Sequence, residues 1–375
     1  RDDAKISKQV LGMQVSFLDA VRKSGGLAVG GTFVRPQGQL WGFGARLHPF
    51  LVSRTFTQVQ KMCKERGEDL ISQLQSPDVR SQILKETQEA FSPSSLEKKP
   101  GLKEFASSML PWSLVYRWTP HYEPSQEESV KSIAKQEGRE PLHVVYDLLL
   151  SEKVLWKPMF SWATRDHEPI HELLHHPQIV PAADDAGAHA TLITEASSPS
   201  HLLTHWVRDR TKGPKMTLEH AIRKQTQEVA NLYKLHDRGV IVKGKKADLN
   251  VIDLERLQIQ KPYYVEDLPM NAGRWLQEVA GYRLTLVSGV ETWKDGKPTG
   301  ALPGRLVRNP CRKANAWSGI AWKVSGALEQ AGPKAASSNR AHALRGSGSG
   351  GASAVGRVLR DTVEADAPDE ARSRL

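Results

Sequence analysis

A short apolar run that ends in two acids and a glycine sets the strongest limit on the architecture. Ile179-Val180-Pro181-Ala182-Ala183 reads as a buried strand, and Asp184-Asp185-Ala186-Gly187 follows at once. A carboxylate at the exit of an apolar strand, with a glycine that lets the chain turn sharply, is how a (β/α)₈ barrel presents a polar group at the C-terminal face of its sheet. Taken alone, Asp-Asp-x-Gly reads equally well as an ordinary strand-ending turn.

Around this segment the chain changes character several times. Residues 1–36 predict a helix and then a strand: Val10, Met13, Phe17, Leu18 and Val21 recur at helical spacing, Gly25-Gly26 stops the helix, and Leu27 to Val34 is a β-prone run ending at Arg35-Pro36. Residues 37–160 predict several helices, one opened by the capping box Ser125-Gln126-Glu127-Glu128, and read as a large insertion. Residues 161–237 hold most of the polar chemistry, since seven of the 13 histidines fall between His167 and His205. In residues 238–310, β-like runs (Gly239–Gly244, Leu249–Asp253, Arg283–Val287) alternate with glycine turns such as Asp295-Gly296, which predicts a small sheet or β-sandwich. Ala, Gly and Ser supply 30 of the last 65 residues, so 311–375 is expected to be a flexible or disordered tail.

Several classes are excluded. The net charge is +10, but it is mild and interspersed: 10 Lys/Arg against 6 Asp/Glu in 311–375, and 42 against 36 in the rest. Without a nucleic-acid motif this reads as a solvated surface, and no nucleic-acid partner is expected. The densest apolar stretch, Leu142 to Leu150, is interrupted by His143 and Asp147, so no membrane span is expected. Two cysteines, Cys63 and Cys311, cannot build a disulfide scaffold or a Cys-rich zinc ribbon.

His171-Glu172-Leu173-Leu174-His175 matches the H-E-x-x-H pattern of zinc proteases, in which histidines at i and i+4 bind the metal and the glutamate activates water; His167-Glu168-Pro169-Ile170-His171 overlaps it. Pro169 and Pro177 confine any helix here to about two turns. The competing reading is a short amphipathic helix with Ile170, Leu173 and Leu174 on its core face.

Longer stretches carry a resemblance. Asp184-Asp-Ala-Gly-Ala-His189, Leu202-Leu-Thr-His-Trp-Val-Arg-Asp209, and Gly239-x4-Gly244-x2-Ala247-Asp248-x-Asn250-Val-Ile-Asp253 are followed by Val287-Ser-Gly289, Asp295-Gly296, Thr299-Gly300 and Pro303-Gly-Arg305. Together they resemble the D-aminoacylase (N-acyl-D-amino-acid deacylase) branch of the amidohydrolase superfamily, more weakly back to Arg35-Pro36 and Leu47-His-Pro49.

The resemblance implies an α/β fold: the C-terminal part of a metal-dependent (β/α)₈ hydrolase barrel with a helical insertion over its mouth and a small β-sandwich. It implies hydrolysis of a non-peptide C–N bond, releasing a D-amino acid and a carboxylate from a small N-acyl amino acid. Asp185 matches the strand-8 aspartate that moves the proton between metal-bound water and the leaving amine. It would also touch the metal, zinc, if the missing His and Cys ligands were supplied. His189 is expected to orient its neighbours. Arg35, at the end of the family's strand 7, is either a clamp for the substrate carboxylate or a surface arginine before a proline turn. His201 and His205 are read as packing.

The chain also departs from the family. It has no His-x-His anywhere, and before residue 160 it offers only His48, His121 and His143. The first six β/α units and their metal ligands are therefore expected to be missing, leaving a fragment that neither binds zinc nor hydrolyses substrate alone. The alternatives are a non-catalytic interaction protein derived from the same fold and the H-E-x-x-H protease. A cytoplasmic location is expected, or a peroxisomal one through the terminal Ser373-Arg374-Leu375, which is close to the S-K-L address. A fluorescent protein carrying these last residues is predicted to collect in peroxisomes; a diffuse signal would contradict that address.

Overall fold

The structure is a computed structural model that describes residues 2–159, 167–182 and 187–307. Asp185 and the 311–375 tail, with Ser373-Arg374-Leu375, lie outside the described residues. The chain divides into a larger unit, residues 1–92 and 109–303, and a smaller one, residues 93–108 and 304–375. The smaller is described over helix Pro93–Lys98, nearly all of helix Pro100–Met109, and residues 304–307.

In the larger unit, helix Asp2–Lys23 leads to β1 (Gly30–Thr32), β2 (Gly38–Trp41), β3 (Tyr116–Arg117), β4 (Leu155–Pro158) and β5 (Ile179–Pro181). The β-prone run from Leu27 to Val34 thus contributes only three strand residues. β1 and β5 pair in parallel, Gly30 opposite Ile179 and Thr32 opposite Pro181. The Gly30 N–H donates to the Gln178 carbonyl at 2.8 Å, and the Ala182 N–H to the Thr32 carbonyl at 2.9 Å, so the ladder runs one residue past β5. Helix Glu168–His175 precedes β5 and buries Ile170, Leu173 and Leu174, the core face expected of it. Trp206, Leu202, Leu203, Met216 and Val34 complete that core.

Between the parallel strands, the chain makes a mostly helical excursion whose two ends meet. β2 pairs antiparallel with β4, which pairs with β3, in the order β2-β4-β3. The indole of Trp156 lies against the backbone of Gly38 and leaves no room there for a Cβ. Arg80 holds both oxygens of Asp147 at 3.0 and 3.2 Å, linking helix Pro77–Ala90 to helix Pro141–Glu152. The capping box at Ser125 does not open an α-helix. It closes a 3₁₀ turn, Gln126–Glu128, with the Ser125 N–H donating to the Glu128 carboxylate at 2.6 Å. Ser129 then caps helix Val130–Glu137, because its hydroxyl is the next acceptor facing an unpaired helical N–H.

Beyond residue 238 the strands are β6 (Leu249–Ile252), β7 (Gln258–Ile259), β8 (Tyr263–Leu268), β9 (Ala272–Leu276), β10 (Val279–Ala280), β11 (Tyr282–Val287), β12 (Val290–Lys294) and β13 (Lys297–Pro298). β13-β12-β11-β6 form a four-stranded antiparallel sheet, while β8-β9 and β10-β7 form pairs. Both hairpin turns of this sheet, Ser288 and Gly289 (φ 52° and 81°) and the expected Asp295 and Gly296 (φ 45° and 79°), supply the two positive φ values that a tight hairpin turn needs. Asp248 braces the first, accepting from the Ser288 N–H at 2.7 Å and from Arg238 at 2.8 Å. Residues 239–244, expected as a strand, form bends and a turn. Among the described residues no strand lies beside them, and Ile241 and Val242 are exposed. Nor does any sheet close into a barrel among the described residues.

His48 is wholly buried in an aromatic nest, its ring centroid 4.6 Å from Phe56, 5.5 Å from Phe43 and 6.0 Å from Phe50. Burial lowers its pKa to about 3 from 6.5. Between those values only the unfolded chain binds the proton, so the stability present above pH 6.5 is lost as the pH falls toward 3. At pH 5 the loss is about 2 kcal/mol. Urea unfolding of His48→Phe is predicted to lose about 2 kcal/mol less than the parent between pH 7 and pH 5; equal losses would show that His48 is not the group.

Candidate functional site

The polar groups of the larger unit gather where the ends of β1 and β5 meet the excursion. Arg35, three residues after β1, is neither a surface arginine nor open to solvent: it is 0% exposed. Its Nε donates to Glu195 Oε2 at 2.8 Å, its Nη1 to Ser197 Oγ at 2.9 Å and its Nη2 to the Thr194 carbonyl at 2.9 Å. The guanidinium also lies 4.3 Å from the ring centre of Tyr122. In this arrangement these donors face the protein.

Tyr122 joins this network to a second one. Its backbone is left-handed (φ 54°), costly for a bulky residue. The conformation is sustained because the side chain is fixed on every side. Trp118 Nε1 donates to its hydroxyl at 3.1 Å, Gln277 Nε2 at 3.4 Å, and the His201 ring meets it edge-on at 5.5 Å. Burial raises the Tyr122 phenol pKa, so the hydroxyl stays neutral.

The turn at Tyr122 sends Glu123 inward, where it meets two histidines from distant segments. His167 immediately precedes helix Glu168–His175, and His205 lies in the π-helical stretch Leu202–Asp209. Such widened turns are frequent at functional sites. His167 Nδ1 is 2.7 Å from Glu123 Oε1, and His205 Nε2 is 3.7 Å from the same oxygen. Burial alone would raise the Glu123 carboxyl pKa, but the two imidazoles more than offset that and hold it well below the usual carboxylate range. Burial lowers the pKa of His205, and that of His201, stacked on it at 4.8 Å, falls further for the same reason. Arg210 closes the far side, with Nε 3.9 Å from Glu123 Oε1, a 2.8 Å bond to Glu168, and a contact over the Trp206 ring. Among the described residues, Glu123, His167 and His205 are the one group whose ligand atoms lie close enough, within 4.8 Å of one another, to share a metal ion.

The sequence reads His205 as packing and gives no sign of a role for Glu123. The usable signal was the density of histidines after residue 167; nothing in the sequence places Glu123 beside them. The H-E-x-x-H residues form no such group. His171 and His175 are neighbours on one helix (ring centroids 4.1 Å apart), and His175 stacks on His220 at 4.8 Å, on an eight-residue helix as short as the prolines predict. His189 is exposed in a turn with φ 45°, where its carbonyl accepts from the Leu192 and Ile193 N–H groups at 2.7 and 3.1 Å. The strand leading to Asp185 is described as far as Ala182.

Comparisons bear on the whole. No curated protein matches the chain. Several solved structures are similar to parts of it, among them the following two. One is a D-aminoacylase mutant in complex with copper chloride: 21% identity, TM-score 0.30, covering 52% of this chain and 38% of that one. The other is N-acyl-D-glutamate deacylase from Bordetella bronchiseptica complexed with zinc and a phosphonate inhibitor: 24% identity, TM-score 0.27, covering 50% and 37%. The chain thus spans about 38% of the first structure's length, and TM-scores this low do not bear on the fold. The model for the amidohydrolase family matches residues 44–299, well over half the chain and all of the site described above except Arg35. This protein belongs to the amidohydrolase family.

Proposed function

We propose that the chain is the C-terminal part of a hydrolase of linear amides of the D-aminoacylase type, acting on small N-acyl-D-amino acids, with Asp185 as its proton-carrying carboxylate. The observation that carries this reading is the family match over 44–299, which spans Asp185 and the hairpin motifs that follow it. The parallel pairing of β1 with β5 supports it, because it brings the chain after both strands to one edge, where such barrels keep their chemistry. Leu27 and Phe33, flanking β1, are 91% and 40% exposed, which supports β1 and β5 being two strands of a larger sheet.

The donor set that the resemblance implies for a catalytic zinc is not assembled by the described residues. The sequence has no His-x-His pair, and the Glu123 group is a different set in a buried core. The chain's own contribution is therefore the carboxylate of Asp185, which takes a proton from the attacking water and gives it to the leaving amine. A carboxylate can serve both transfers: it is a base toward a water whose pKa a bound metal would lower to about 7, and once protonated it is a stronger acid than the ammonium form of the leaving amine. Within this reading, the chain alone is inactive.

The test uses the longest form of the protein that its cells make, assayed for release of D-amino acids from N-acyl-D-amino acids. Asp185→Asn is expected to lower kcat by about 100-fold or more, while Glu172→Gln leaves it unchanged. Retained activity in Asp185→Asn would refute the assignment, and loss in Glu172→Gln would favour the H-E-x-x-H reading instead. No turnover of any acylated D-amino acid by a folded full-length form would favour a non-catalytic interaction protein.

A further inference from the structure

We propose that Glu123, His167 and His205 form a binding site for a zinc-class divalent metal ion that staples three distant chain segments, independently of the hydrolase reading and of Asp185. Their side chains are 8%, 1% and 2% exposed. They come from the loop after β3, the start of helix Glu168–His175 and the π-helical stretch Leu202–Asp209, so one ion would cross-link parts of the larger unit that share no strand ladder.

The donor chemistry fits. Two imidazoles and one carboxylate are a standard zinc set, with bonds of about 2.0–2.2 Å. Ligand atoms around a tetrahedral ion then stand roughly 3.4 Å apart. Two of the separations, 2.7 and 3.7 Å, bracket that spacing, and all three ligand atoms lie within 4.8 Å of one another. A zinc ligand must be ionised or neutral at the metal, which a carboxylate and two imidazoles can be. Neither ring nitrogen of His205 has a hydrogen-bond partner among the described residues, although the ring is buried. Buried polar atoms left in this way call for an explanation such as a bound ion or water.

The opposing charge is that of Arg210, but its guanidinium already holds Glu168, the Pro214 carbonyl at 2.7 Å and the face of Trp206. It therefore balances Glu168 rather than occupying the place between Glu123 and the histidines. The exposed ring of His121 lies 6.5 Å from that of His205.

Zinc(II) and cobalt(II) titrations of the purified, chelator-treated chain test the site. The expected result is one equivalent bound with micromolar or tighter affinity, a cobalt spectrum of the tetrahedral type, and a melting temperature raised by several degrees. Glu123→Gln and His205→Ala should each weaken binding by about 100-fold or more, while Asp185→Asn and His175→Ala should leave it unchanged. Circular dichroism establishes that each variant is folded. Should His205→Ala fail to fold, X-ray absorption of the zinc-loaded parent decides without a variant: two imidazole nitrogens and carboxylate oxygen support the site. No binding by the folded parent, sulfur or three imidazoles at the metal, or loss of the metal in Asp185→Asn would each overturn the proposal.

Discussion

A buried ion pair, Arg35 with Glu195, is the interaction on which the rest of the larger unit depends. Taking both charges out of water costs several kcal/mol per ion, and their attraction repays that only when every remaining donor is satisfied. Here the satisfaction is nearly complete: Ser197 and the Thr194 carbonyl take the other guanidinium hydrogens, and Tyr122 covers the cation's face. Ser197 is itself hydrogen-bonded to Gln277, whose amide also reaches Tyr122 and the Gln260 carbonyl. One arginine therefore fixes the exit of β1, the 194–197 loop, the turn that aims Glu123 inward, and the end of β9. Losing either ion would strip its buried partner of that counter-charge, a defect of about 3–5 kcal/mol.

This arrangement frames the segment proposed to hold the proton-carrying carboxylate. On one side of Asp185 the chain is tied to β1 through the Ala182 N–H and Thr32. On the other, the turn after Gly187 is tied to both neighbouring sheets: the Leu40 N–H donates to Leu192 at 2.7 Å, and the Trp275 N–H to Ala190 at 2.8 Å. A carboxylate used for proton transfer must be positioned within a few tenths of an ångström, and rigid anchors on both flanks are what a scaffold can contribute. The same frame carries the Glu123 group through adjacent Tyr122, so the two polar networks share one support.

The parts legible in the sequence were those governed by local rules. The Asp-Gly pair announced the hairpin turn at Asp295-Gly296, and apolar periodicity announced the core face of helix Glu168–His175. Parts set by tertiary contacts were misread. The surface-arginine reading of Arg35 does not hold, because nothing local reveals that Glu195, far along the chain, pairs with it in the interior. Residues 239–244 have strand-like composition, but a strand also needs a neighbour. Ser125 carries a genuine capping box, yet only one 3₁₀ turn separates it from the cap that starts the α-helix, and local pattern does not choose between them. Glu123 was missed for the same reason as Arg35: its partners come from other segments.

Native-state hydrogen exchange tests the central claim, that the polar core locks strand pair, excursion and C-terminal sheets into one cooperative unit. The informative amides are those of Ala182, Leu40 and Trp275, each donating from one of these parts to another or to the loop between them. The account predicts that all three exchange with one common free energy, close to that of global unfolding, and that this shared value falls together when Glu195 is replaced by Gln. Exchange of Leu40 or Trp275 at a much lower free energy than Ala182 would show that the loop opens independently, and would contradict it.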